Sequence, residues 1–396
     1  MTPAETMSPA LPAAAQLEWR VNDVAGLFPA AARLPVFAAR AARDEATPGD
    51  HIAHARTLYD LGRGEEARLA LIPALAATDT VQAHLLAGMI ARQTGRRDEA
   101  ATHFQAVLKR QPDHVAARIG SARSAASRSA ALDILREGMA RGPGDPDLWM
   151  AFTDIAIAGE RVSALRDALS AFPPPARYVA CVDDARVYLA EAEGDRPTLD
   201  RYLQDPALVW RGTLAESGDP LLQAVLAEVR AAPDYIPDPY DKSTRGGMQA
   251  PFLPNRDRPA WKALFRRLQP LVEDHLARLR QAGPPFPVPG GAVGFRSWAV
   301  RLSAGGRQAA HLHGSSWVSG VFYLSVSGPP SDGDGEAGAL RMPLLPRGRL
   351  ADWPVRSIPA AVGKLVLFPS YMRHDTVAAA GAGERVCIAF DLVSLP

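Results

Sequence analysis

Three of the nine histidines stand apart from the rest. His311 and His313 flank a single leucine, just ahead of the apolar run Ser319-Gly-Val-Phe-Tyr-Leu-Ser-Val326. His374 follows the run Leu365-Val-Leu-Phe-Pro369 after a short turn. On an extended strand, residues two apart face the same way, so the first two imidazoles share a face. Buried imidazoles need partners, and a third from a distant strand completes a facial metal site. Imidazole suits iron, zinc, copper and nickel alike, so ligand type alone does not name the metal.

The surroundings narrow the chemistry. Arg385 lies eleven residues after His374, at the start of the last apolar run. If that run returns beside His374, its guanidinium points inward, where its fork can grip a carboxylate bidentately. Tyr323 can donate its hydroxyl to the same carboxylate, and Arg301, ten residues before His311, is a further candidate for the pocket wall. The other histidines (51, 54, 84, 103, 114 and 275) fall in helical patterns and read as ordinary helix residues.

The series Trp298, His311-Leu-His313, Ser319-Gly-Val-Phe-Tyr323, Phe368-Pro-Ser-Tyr-Met-Arg-His374 and Arg385-Val-Cys-Ile-Ala-Phe390 resembles the 2-oxoglutarate/Fe(II) oxygenase superfamily. It is most similar to a bacterial and phage branch related to prolyl hydroxylases, over roughly residues 243–395. The polar segment Ser243-Thr-Arg-Gly-Gly-Met-Gln249 resembles one upstream of the barrel in that branch. The resemblance implies a jelly roll that binds Fe(II), 2-oxoglutarate and O2 and oxidises a C–H bond. It further implies that His311, His313 and His374 hold the metal, with the distal carboxylate of 2-oxoglutarate on Arg385. In one respect the sequence departs from the common pattern: His313 stands where the superfamily usually has Asp or Glu. His313 is then a third neutral ligand, or it stands behind the metal, or Asp375 supplies an oxygen; the first is the preferred reading.

Elements that would position these residues can be read from periodicity. Short β-rich runs bounded by Gly and Pro (297–302, 319–326, 363–368, 385–392) indicate a sandwich or jelly roll. The stretch 328–336 reads as a surface loop. Ahead of them, Trp261 to Arg280 is an amphipathic helix, ended by the Pro-rich run 283–289. Residues 51–175 repeat with an offset of 33: Gly62 matches Gly95, Ala67 matches Ala100, and Leu71 matches Phe104. Such units resemble tetratricopeptide repeats, in which a Gly ends the first helix of a hairpin and a small Ala lets the second approach. The expected fold class is α+β: a tail with a capping helix (1–48), helical repeats (49–235), and a jelly roll with a leading helix (236–396). The Pro-rich run 233–240 marks the break, and 243–249 reads as a polar loop.

A net charge of +1 implies no bulk attraction to nucleic acid or to an anionic membrane. No apolar run approaches the roughly 20 residues that span a bilayer. Two distant cysteines give neither a disulfide framework nor a zinc motif. The N-terminus carries no secretory pattern, and a cytoplasmic location is expected. Stacked helical hairpins suggest a peptide or protein substrate held in their groove. Two readings compete with a 2-oxoglutarate enzyme: a three-histidine dioxygenase that does not use it, and a scaffold whose barrel is inactive.

Overall fold

The computed structural model describes residues 18–21, 30–175, 179–240, 242–254, 258–282, 292–326, 336–379 and 383–394. The readings of residues 1–17, 283–289 and 328–335 lie outside them. Strand β1 (Glu18–Val21) precedes α1 (Ala30–Ala41). Four hairpins follow: α2 (Pro48–Asp60) with α3 (Gly64–Ala77), α4 (Val81–Gln93) with α5 (Arg97–Arg110), α6 (Val115–Arg123) with α7 (Arg128–Arg141), and α8 (Pro146–Ala158) with α9 (Val162–Ala171).

Local sequence explains these hairpins. Thr47, Thr80 and Asp145 cap α2, α4 and α8 by accepting backbone N–H bonds. Gly62 and Gly95, both at φ +77°, make the turn into the second helix in a left-handed conformation that L side chains avoid. Ala67 and Ala100 are fully buried, which allows the helices to approach. The ring of Phe104 fills the space between α4 and α6, so that a Cβ at Gly120 would come within 2.4 Å of it.

After the hairpins come α10 (Ala180–Glu193), α11 (Arg196–Leu203), β2 (Trp210–Thr213) and α12 (Pro220–Arg230). Of these helices, α10 also extends the last repeat core, through Cys181, Val182, Ala185 and Tyr188. Val187, Leu199, Leu203, Leu222 and Val225 share one cluster with Phe295, Phe322, Leu367 and Phe390 of the barrel. The packing therefore changes well before the break expected at residue 235.

The barrel is completed by β3 (Ile236–Pro237), β4 (Thr244–Pro251), α13 (Pro259–Ala282), β5 (Ala292–Gln308), β6 (Ser316–Ser325), β7 (Leu340–Leu344), β8 (Arg356–Ile358), β9 (Lys364–Pro369), β10 (Arg373–Thr376) and β11 (Arg385–Ser394). The main sheet runs β2-β9-β6-β11-β5-β4-β3, with β1 parallel to the start of β5; β10-β7-β8 form a smaller sheet. This is the expected jelly roll behind helical repeats. Residues 244–251 form a strand rather than the expected loop. Their polar side chains are matched inside the fold: Ser243 and Thr244 donate to Gln308 Oε1 at 2.6 and 3.3 Å, so polarity does not force this segment to the surface. No helix among the described residues is long and apolar enough to cross a membrane.

Candidate metal and co-substrate site

The strand β5 ends at Gln308, and the chain then turns so that His311 pairs with His374 of β10. Each main-chain N–H donates to the other's carbonyl, at 3.0 and 2.9 Å. His313 is tied to the turn after β9, its N–H donating to Ser370 O at 3.0 Å. The three rings gather, with centroids 4.3 to 5.3 Å apart. A nitrogen from each lies within 4.8 Å of the others. All three Nδ1 atoms already have acceptors: Ala309 O for His311, Met372 O for His374 and Asp391 Oδ1 for His313. Each Nδ1 therefore holds the proton, and the three Nε2 lone pairs are left for a cation. Burial and the neighbouring His313 push His311 down to about 3, and burial with the other two rings pushes His374 well below its usual value. Both rings are neutral near pH 7, the state that ligation requires. This donor set fits a ferrous ion.

Register on the closing strand sets the rest of the cavity. Arg385, Cys387, Ala389 and Asp391 alternate inward along β11, opposite Leu302, Val300, Trp298 and Arg296 of β5. The cavity encloses about 740 Å³ and contains the three histidines, Arg385 and Tyr323. Arg385 and Tyr323 are both buried side by side, and among the described residues the Arg385 Nε has no acceptor and the Tyr323 hydroxyl has no partner beyond that guanidinium. Burial raises the Tyr323 hydroxyl, with the guanidinium beside it opposing, so it stays protonated as a donor. A buried guanidinium with an unmatched Nε next to a phenol suits a carboxylate, and 2-oxoglutarate has one distal to its keto acid.

One sequence assignment is corrected, and one alternative left open by the sequence finds no support. Arg301 is not part of the cavity: it faces Val386 in register, and its Nε donates to Glu384 at 2.6 Å on the other side of the sheet. The phase counted back from His311 fails because the chain leaves strand geometry after Gln308. Asp375 supplies no ligand either, as its two oxygens accept from Arg341 Nε and Nη2 at 2.8 and 2.5 Å. Sequence reasoning missed Asp391. It lies an even number of residues beyond Arg385 on one strand, a spacing that placed it on the inner face.

Residues 296–391 match the family described as "Putative 2OG-Fe(II) oxygenase", and residues 52–113 and 85–146 match the tetratricopeptide repeat. The chain carries a 2-oxoglutarate/Fe(II) oxygenase domain. As a member of that family the domain uses Fe(II), 2-oxoglutarate and O2, and it follows repeats of a kind that binds protein segments. No curated protein sequence matches the chain. Similar solved structures include a prolyl-4-hydroxylase of Pseudomonas putida, at 19% identity and TM-score 0.35, covering 48% of this chain and 93% of that one. A prolyl hydroxylase of Trichoplax adhaerens with a hypoxia-inducible-factor peptide is 14% identical, with TM-score 0.35, covering 51% and 92%. HygX of Streptomyces hygroscopicus with nickel and 2-oxoglutarate is 16% identical, with TM-score 0.32, covering 50% and 86%.

Proposed function

We propose that the oxygenase domain hydroxylates a C–H bond of a peptide or protein side chain. On this reading His311, His313 and His374 hold Fe(II) through Nε2, while Arg385 and Tyr323 take the distal carboxylate of 2-oxoglutarate. The observation that carries it is the buried pair of Arg385 and Tyr323, with no carboxylate to meet them among the described residues, in the same cavity as three converging imidazoles. The bound metal and co-substrate supply the oxidation, one oxygen atom passing to the substrate carbon and the other to succinate as CO2 leaves. The chain supplies the rest: fixed Nδ1–H tautomers, a charged anchor at one end, and apolar walls such as Leu340, Val321 and Phe368 that keep water out.

The helical part supports a polypeptide substrate through its position. Met150 of α8 packs so closely on Gly314, next to His313, that a Cβ there would meet its Cγ at 2.7 Å. The last repeat hairpin thus borders the loop that carries two of the histidines, and a segment lying in the repeats would lead towards the cavity. The functional units on this reading are residues 49–175 for the repeats and 179–396 for the oxygenase, because α11 and α12 bury their faces in the barrel core and α10 joins that core to the last repeat hairpin.

The test is anaerobic reconstitution with Fe(II), titration with 2-oxoglutarate, and succinate release on admitting air, with peptides and free amino acids as substrates. Succinate should require both additions, and peptides should gain the mass of one oxygen atom. His374→Ala should lose Fe(II) binding while keeping its helical content. Unchanged iron binding in that variant, or turnover of free amino acids alone, refutes the corresponding part.

A further inference from the structure

The three histidines use acceptors of two kinds. His311 and His374 give Nδ1–H to main-chain carbonyls two residues before them, at 2.8 and 2.9 Å. His313 gives its proton to a carboxylate, Asp391 Oδ1, at 2.6 Å, and the same oxygen accepts the Ser319 hydroxyl at 2.7 Å. A simpler account would have Asp391 present for Arg296. The distances decide against it. Arg296 Nη2 is 3.4 Å from Oδ2, is shared with the hydroxyls of Ser315 and Ser316 at 3.1 and 3.0 Å, and belongs to a side chain that is 37% exposed. A pair that long and that wet contributes little.

Charge gives the asymmetry a meaning. Three neutral imidazoles offset none of a divalent ion's charge, whereas the common facial set of two histidines and a carboxylate offsets one unit. Inside a partly apolar cavity that difference is costly. A carboxylate one imidazole away offsets it without taking a coordination position, and by drawing on Nδ1–H it makes Nε2 a better donor. We propose that Asp391 delivers through the His313 ring the negative charge that a carboxylate ligand would deliver directly. Asp391 is then a positioning residue that never touches the metal. The inference rests on the reading of His313 as a ligand.

Cobalt(II), followed by its visible absorption during anaerobic titration of the full-length apoprotein, separates the two ideas. The proteins to compare are wild type, His313→Ala, Asp391→Asn and the double variant. Asp391→Asn should weaken Co(II) binding about 10- to 100-fold and shift the absorption band. In the double variant the loss should not exceed that of His313→Ala, since both changes remove one unit. Wild-type binding by His313→Ala would overturn the ligand reading itself. Weakened binding by His313→Ala with unchanged binding by Asp391→Asn, or fully additive losses, would overturn the role of Asp391 alone. A second measurement needs no folded Asp391 variant. In the Zn(II)-loaded wild type, the downfield Nδ1–H proton resonance that disappears in His313→Ala should lie further downfield than those of His311 and His374. Three equivalent positions would overturn the proposal.

Discussion

Arg373 and Asp184 face each other with two parallel hydrogen bonds, Nε to Oδ1 at 2.8 Å and Nη2 to Oδ2 at 2.7 Å. Arg373 directly precedes His374, and Asp184 lies buried in α10, three residues after Cys181, whose N–H donates to Gly314 O at 3.2 Å. One helix therefore holds both histidine-bearing segments. Asp184→Ala leaves a largely buried guanidinium without its carboxylate, which should cost about 3–5 kcal/mol in stability. Chemical denaturation near neutral pH measures it. A loss below about 1 kcal/mol would mean that water reaches Arg373 as readily as a surface arginine.

Arg385→Ala should weaken 2-oxoglutarate binding by roughly 2–5 kcal/mol, because a buried charge-assisted contact is removed. Tyr323→Phe should cost less, about 1–3 kcal/mol, since one donor is lost and the guanidinium remains. Calorimetric titration of the Fe(II)-loaded protein under anaerobic conditions gives both values. Titration curves matching wild type would place the carboxylate elsewhere.

Alanine at Gly120 gains up to about 1 kcal/mol in helix propensity. Its methyl would also press on the buried ring of Phe104 at 2.4 Å. Overpacking of this kind costs about 1–3 kcal/mol, so Gly120→Ala should be net destabilising, by on the order of 1 kcal/mol. Thermal melting followed by circular dichroism reads the sign, and a higher melting temperature would mean that the ring moves aside at no cost.

His275 on α13 is fully buried, neither ring nitrogen has a partner among the described residues, and burial pushes it down to about 4. The unfolded chain, near 6.5, binds the proton more readily. Stability contributed by keeping this ring neutral is thus present above pH 6.5 and is lost as pH falls towards 4. The full effect is about 3 kcal/mol, from 1.36 kcal/mol per unit. The difference in urea midpoint between wild type and His275→Leu should be constant above about pH 7.5 and shift further in the variant's favour as pH falls below that. A constant difference across that range would show that His275 does not titrate during unfolding.

The repeats were readable because a turn glycine and a small alanine recur at one offset: Gly62 and Gly95 have the φ that the pattern demands, and Ala67 and Ala100 are buried. The gathering of the three histidines was legible in their types and spacing, although His311 and His313 lie on an isolated bridge and in the loop after β5, so strand alternation is not what brings them together. What failed has physical causes. β8 and β10 span three and four residues, too few to establish a period. The apolar stripes of α10 to α12 show that a helix buries a face but not against which core: here α11 and α12 face the barrel, and α10 faces both the barrel and the last repeat hairpin. Arg301 was misplaced because phase does not carry through the turn between Gln308 and His311. Asp391 is in phase with Arg385, but phase gives a side chain's direction and not its partner, and the His313 ring it meets lies 78 residues back along the chain.

The position of β11 bears on how the barrel comes together in time. It lies between β5 and β6, which meet in the main sheet only through it, and it pairs Arg385 with Leu302 far back along the chain. Loop closure over such a distance must precede the contacts that reward it. The helical hairpins, whose contacts are with their neighbours, face no such delay. During refolding the repeats should therefore form first, while β5 and β6 present unpaired edges until β11 inserts. Those edges, rather than the helices, are where one unfinished molecule would capture a strand from another.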